Sequence, residues 1–233
     1  VLMLVFKDTI LGLAAGVRLT SNDMLHKGDW ITVKSVDANG IVEDMSLTTV
    51  KVRNFDNTIV TISPATLVNG SFQNWIGMQK SGGRRAKRIV YFDFRSIRLV
   101  DETLKQTLLA KHFATEDSFK LKETLQKAIE KDIQEGKDIE DLKNPAALAP
   151  TNLQLYRRFM EKYLRQRPEV NTELTLMVRH MEATQCGLPI EFYFFIKDKV
   201  WVNYEHILAD IMEHAYALAN EFGLKIYEQY PEQ

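Results

Sequence analysis

The sequence holds a single cysteine, Cys186, in 233 residues. One thiol closes no internal disulfide and builds no four-thiolate zinc site. No sign of charge dominates either: 30 Lys and Arg stand against 31 Asp and Glu, for a net charge of −1. That balance excludes a surface devoted to a polyanion. A run of about 20 apolar residues, the length that spans a bilayer, is missing as well. Phosphate-cradling loops are absent, since Ser81-Gly82-Gly83-Arg84 lacks the spacing that aims backbone amides at phosphates. The five histidines, His26, His112, His180, His206 and His214, include no H-E-x-x-H pattern. No carboxylate pair sits in a catalytic context. The reading is therefore of a chain that is not an enzyme, with no catalytic residue, metal ligand or cofactor to name.

Two weaker chemical candidates remain. His206, Asp210 and His214 share one helix face, which suits a metal site or, equally, a solvated face. Cys186 lies in the turn Thr184-Gln185-Cys186-Gly187 and would be a nucleophile only with a histidine in hydrogen-bond reach.

What is present begins with an apolar run, Val1-Leu2-Met3-Leu4-Val5-Phe6. It reads as a first buried element or as the last turns of a membrane helix. Residues 1–20 suit a helix, and Gly12 and Gly16 stand four apart on one face, where backbones approach closely. From Ser21 to about Gly77 the texture becomes short β-rich runs: 30–36, 41–46, 47–53 and 58–62. Turns are expected at Asp37–Gly40 and Asp56-Asn57, and the whole reads as a small β-barrel or sandwich.

Gly82-Gly83 marks a hinge and a domain boundary. The basic cluster Arg84-Arg85-Ala86-Lys87-Arg88 follows, open to three readings: a nucleic-acid contact, a patch facing anionic headgroups, or a solvated interdomain loop. Beyond it, helices are expected over 102–113 and 119–135, the latter with Leu121, Leu125, Ile129 and Ile133 in one stripe. Thr151 or Asn152 would cap a helix to about Gln166. Strands are expected over 172–178, 190–196 and 224–227, with a long helix from Asn203 or Tyr204 to Phe222. This order matches a ferredoxin-like α+β sandwich.

An ordered series of motifs resembles the small-conductance mechanosensitive channel (MscS-like) family. It comprises Gly12-Leu13-Ala14-Ala15-Gly16-Val17, Gly28-Asp29-Trp30-Ile31, Gly40-Ile41-Val42-Glu43-Asp44, Thr48–Arg53 and Asp56–Pro64. Met177-Val178-Arg179, Gly187–Glu191 and Trp201–Glu205 are similar to the miniconductance branch.

The resemblance implies an α+β chain in three parts: residues 1–20 as the end of a pore-lining helix, 21–80 as an Sm-like β domain, and 81–233 as an α/β cytoplasmic cage domain. The cage domain would carry a helical addition at about 101–150. It implies a homo-oligomer, a heptamer, in the inner membrane. Lipids would be met through transmembrane helices outside this sequence, and ions and small solutes would be the permeants, released under hypoosmotic tension. Leu4 would stand at the constriction, and Phe6 and Ile10 would pack against neighbouring membrane helices. Asp8 occupies the family's kink-glycine position, which leaves Gly12 or Gly16 as the bend. The competing reading is a soluble protein that binds nucleic acid through Sm-like and ferredoxin-like domains.

Overall fold

The computed structural model describes residues 2–120, 127, 130, 131, 134 and 149–229, with side chains from Thr9 onward. It divides into two compact units, residues 1–81 and 82–233.

The first unit opens with α1 (Leu2–Ser21), a continuous helix. Its end is a Schellman turn: Met24 N donates to Leu19 O at 3.1 Å and Asp23 N to Thr20 O at 3.3 Å, with Asp23 in the left-handed region at φ 57°. Then follow β1 (Trp30–Val33), β2 (Ala38–Met45), β3 (Val50–Asn54), β4 (Ile59–Ile62), α2 (Pro64–Asn69), β5 (Gln73–Asn74) and α3 (Ile76–Lys80). The strands form one antiparallel sheet in the order β4-β3-β2-β1-β5. Its end strands β4 and β5 are not neighbours, so each leaves an edge. Val50 and Val52 point inward and Lys51 outward, and with Leu19, Leu25, Ile31, Val33, Val42 and Ile62 they close a core of their own.

Two local expectations shift here. The run 47–53 does not begin as a strand, because Ser46 Oγ accepts from Thr49 N at 3.1 Å and a turn closes over 46–49. The turn expected at 37–40 comes earlier, as a 3₁₀ turn over Lys34–Val36 with Asp37 left-handed at φ 51°. Ala38–Gly40 then already pair with Ile31–Val33. The hairpin turn at Asp56-Asn57 is present, with Asn57 at φ 69° and Asp56 Oδ1 accepting from Thr58 N at 2.9 Å.

The second unit carries β6 (Arg84–Phe92), α4 (Glu102–Ala110), α5 (Glu116–Phe119), α6 (Asn152–Gln166), β7 (Met177–His180), β8 (Leu188–Ile196) and α7 (Trp201–Glu221). The sheet order is β6-β8-β7, antiparallel throughout. Ile226 bridges Phe92 on the free edge of β6, so the segment 224–227 contributes one bridge and not a full strand. The result is the α+β architecture with antiparallel sheets that the pattern implies.

Ala86, Val90 and Phe92 join Ile190, Phe192, Phe194 and Ile196 in a core with Tyr156, Met160 and Leu164 of α6 and Leu208, Ile211 and Ala215 of α7. Thr151 is the cap of α6, its Oγ1 accepting from Gln154 N at 3.1 Å. Asn152 does something else. It is fully buried, its Nδ2 donates to Ser96 O at 2.9 Å and Phe222 O at 3.1 Å, and its Oδ1 accepts from Arg98 N at 3.0 Å. One amide thereby ties three chain segments.

The strand expected at 172–178 starts later, at Met177. Gly223 stops α7 as expected, at φ 67°, with Leu224 N donating to Ala219 O at 3.0 Å. Of the helix expected over 119–135, Phe119 instead ends α5 and residues 127, 130, 131 and 134 are helical. Most of the rest, with the stripe Leu121, Leu125, Ile129 and Ile133, lies outside the described residues, as does about half of the addition at 101–150.

Candidate functional site

Helix α1 and its seat on the β unit form the candidate site. The helix backbone runs unbroken through Leu4, Phe6, Asp8, Gly12 and Gly16. The side chains of Leu4, Phe6 and Asp8 lie outside the described residues. On the inward face Ala15, Gly16 and Leu19 are buried. On the outward face Ile10, Leu11, Leu13 and Val17 are 60%, 54%, 46% and 49% exposed. Four large apolar side chains within about two helical turns call for a covering surface.

The two glycines stand in different surroundings. A Cβ on Gly16 would fall 2.1 Å from Leu47 O, in the 46–49 turn, whereas a Cβ on Gly12 would meet nothing within 4 Å. Gly16 is therefore the point at which the helix rests on the β unit, backbone against backbone. The spacing alone marked both glycines as small; only the fold separates them.

Just beyond the helix, Asp29 is buried and acts as a staple. Its Oδ2 accepts from His26 N at 3.1 Å and from Asn74 Nδ2 at 2.8 Å, and Asn74 Nδ2 also reaches Met24 O at 3.3 Å. The chain that leaves α1 is thus held to the far strand β5. Gly28, at φ 93°, supplies the backbone turn that aims this carboxyl inward. Trp30 stacks on Trp75 at 4.7 Å, and Trp75 Nε1 donates to Thr32 Oγ1 at 3.0 Å. Sequence reasoning marked Gly28-Asp29-Trp30 as a motif, but Asn74 and Trp75, its partners some 45 residues on, carried no signal of their own.

The basic cluster is a strand, and that corrects the reading of a solvated loop: residues 84–92 pair along the whole of β8. Its cations also have partners in their own unit. The Arg84 guanidinium lies 4.3 Å from the centre of the Tyr204 ring, Arg88 lies 3.8 Å from Glu205, and Lys87 lies 3.3 Å from Glu191. Glu191 is fully buried and also receives Arg179 Nε at 2.6 Å. Burial pushes this carboxyl up, but the hydrogen bonds and charges of Arg179 and Lys87 outweigh it and hold Glu191 below its ordinary value. Side chains so engaged offer little to a phosphate backbone, which weighs against the nucleic-acid reading.

The remaining candidates stay apart. His214 Nδ1 lies 3.1 Å from the backbone oxygen of Asp210, and its ring stacks on Tyr163 at 5.6 Å. Among the described residues no three His, Cys, Asp or Glu side chains are grouped to hold a metal ion. Cys186 is exposed in its turn, where its backbone N–H donates to Thr184 Oγ1 at 3.2 Å. No helix among the described residues is long and apolar enough to cross a membrane.

Residues 8–77, from the middle of α1 to the start of α3, match the family described as the mechanosensitive ion channel, beta-domain. The small-conductance mechanosensitive channel MscMJ of Methanocaldococcus jannaschii is 33% identical over 73 residues, which is 31% of this chain and 20% of that protein. The chain thus spans about a fifth of the length of that relative.

Among solved structures, MSL1 of Arabidopsis thaliana superposes with a TM-score of 0.62 at 10% identity, covering 97% of this chain and 61% of that one. The closed-state MscS of Helicobacter pylori superposes with a TM-score of 0.58 at 12% identity, covering all of this chain and 67% of that one. At such identities the likeness is one of fold. The sequence relationship to MscS-family mechanosensitive channels rests on the β unit and the end of α1.

Proposed function

We propose that this chain, which carries a mechanosensitive ion channel β-domain at residues 8–77, is part of a channel subunit that opens under membrane tension. The observation that carries the proposal is the joining of that domain to a helix with an uncovered apolar face, Ile10, Leu11, Leu13 and Val17. Such a face suits packing against neighbouring pore and tension-sensing helices, with Leu4 at the constriction and Phe6 and Ile10 at the helix contact.

The physics of gating fits this seat. Tension favours the state with more in-plane area, and a helix anchored at one end has two discrete positions. Gly16 rests on Leu47 without slack, so the anchor lies there. Gly12 has open space and low helix propensity, which supports a bend at Gly12 in place of Asp8.

The free edges of β4 and β5 support assembly of β units into a homo-oligomeric ring, a heptamer in this reading, since uncovered edges otherwise invite aggregation. The second unit then forms the wall of a cytoplasmic vestibule, and its balanced charge suits the passage of ions and small solutes. Release of solutes in hypoosmotic shock, an inner-membrane position and membership of the miniconductance branch complete the reading.

Patch recording of the full-length channel tests it. Leu4→Ser is expected to lower the tension threshold, because a polar side chain wets a hydrophobic constriction. A normal threshold at normal conductance would remove Leu4 from the gate. Native mass spectrometry tests the ring, and a monomer at every concentration would count against it.

A further inference from the structure

We propose that the groove beside α6 in the second unit binds a small organic anion that carries an aromatic ring. The groove encloses about 310 Å³, the size of a small-molecule site. One wall is the turn from His112 to Ser118; the other is the face of α6 that presents Arg158 and Lys162. Between them lie Phe113 and Phe159, edge to face at 5.3 Å. Among the described residues no carboxylate lines the groove.

Among the described residues the charge on this wall is uncompensated. Helix α6 carries Arg157, Arg158, Lys162 and Arg165 against one carboxylate, Glu161. Glu161 is turned away, its Oε1 accepting from Val178 N at 2.9 Å, and Arg157 is spent on Val178 O at 3.0 Å. Arg158 and Lys162 make no ion pair or hydrogen bond among the described residues. Two like charges four residues apart disfavour a helix unless a counter-charge sits between them. A phosphate or carboxylate at the mouth supplies that charge, by bidentate pairing with the Arg158 guanidinium and a point contact with Lys162. A ring on the same molecule would meet Phe113 and Phe159. The volume admits such a molecule.

Titration of the full-length protein with phenyl phosphate, inorganic phosphate and phenol separates the parts. Phenyl phosphate is expected to bind saturably, and about tenfold more tightly than either fragment. Arg158→Gln combined with Lys162→Gln is expected to weaken it by about tenfold or more, and Phe159→Leu to bring it close to inorganic phosphate. Arg165→Gln, outside the groove, should change nothing. Arg158 and Lys162 are exposed, so the double variant should keep the wild-type melting temperature. Absence of saturable binding, equal affinity for inorganic phosphate, or indifference to the double substitution would each overturn the proposal.

Discussion

A Cβ placed on Gly16 would stand 2.1 Å from the carbonyl oxygen of Leu47, so α1 meets the 46–49 turn backbone to backbone. A methyl group there must push the helix off its seat. Gly16→Ala is expected to destabilise the first unit by about 1–3 kcal/mol, as overpacking does. Gly12→Ala, in open space, is expected to stabilise it by up to about 1 kcal/mol through helix propensity. Urea titration of both variants checks the contrast; equal effects would mean that Gly16 is not the seat.

The Asp29 carboxyl joins His26 N–H and the Asn74 amide in a buried position. Asp29→Ala leaves both donors without their acceptor, at a cost of about 1–3 kcal/mol. Asn74→Ala alone should cost less. The double substitution should cost less than the sum, because the two side chains share one bond. A strictly additive cycle would show that the staple carries no coupling.

Stability should depend on Glu191 at acid pH. Its folded value lies below the ordinary 4.5 that the unfolded chain is expected to show. A depressed acid contributes stability that is complete above 4.5 and lost as the pH falls through the folded value. The melting temperature of the native protein should therefore fall more steeply below about pH 4.5 than that of Glu191→Gln. At neutral pH the substitution should cost roughly 1–2 kcal/mol, less than for a fully buried pair, because Lys87 and Arg179 are half exposed. Parallel pH profiles for the two proteins would refute the assignment.

Tyr156 is fully buried and donates its hydroxyl proton to Ala215 O at 2.6 Å, joining α6 to α7. Desolvation drives its ionisation far above the ordinary tyrosine value, so it stays a donor at any working pH. Tyr156→Phe keeps the ring contacts with Phe92 and Phe222 and removes only this bond. The expected loss is about 1 kcal/mol with an unchanged denaturant slope. A change in slope would mean that the core has repacked.

Much of this architecture is legible in order along the chain. Alternation in Val50-Lys51-Val52-Arg53 reports a half-buried strand because side chains alternate faces. Gly223 ends a helix because a left-handed residue closes its last turn. Less legible are places where a local hydrogen bond competes with pattern. Ser46 converts the start of an apparent strand into a turn, and Asp37 draws the preceding turn forward. The basic run 84–88 looked like a linker because charge counts say nothing about pairing. As β6 it lies between Glu191, Tyr204 and Glu205, which come from more than a hundred residues away.

The sequence by itself determined the elements, their order and the motif series that ties residues 8–77 to mechanosensitive channels, because periodicity, turn residues and motif spacing are local properties. Tertiary structure alone decided which glycine is a seat and which is free, which carboxyl is a staple, and which cations lack a partner among the described residues. Those are questions of distance between residues far apart in the chain. Gly16 meets Leu47, Asp29 meets Asn74, and Arg158 faces the turn at His112 only after the backbone has folded.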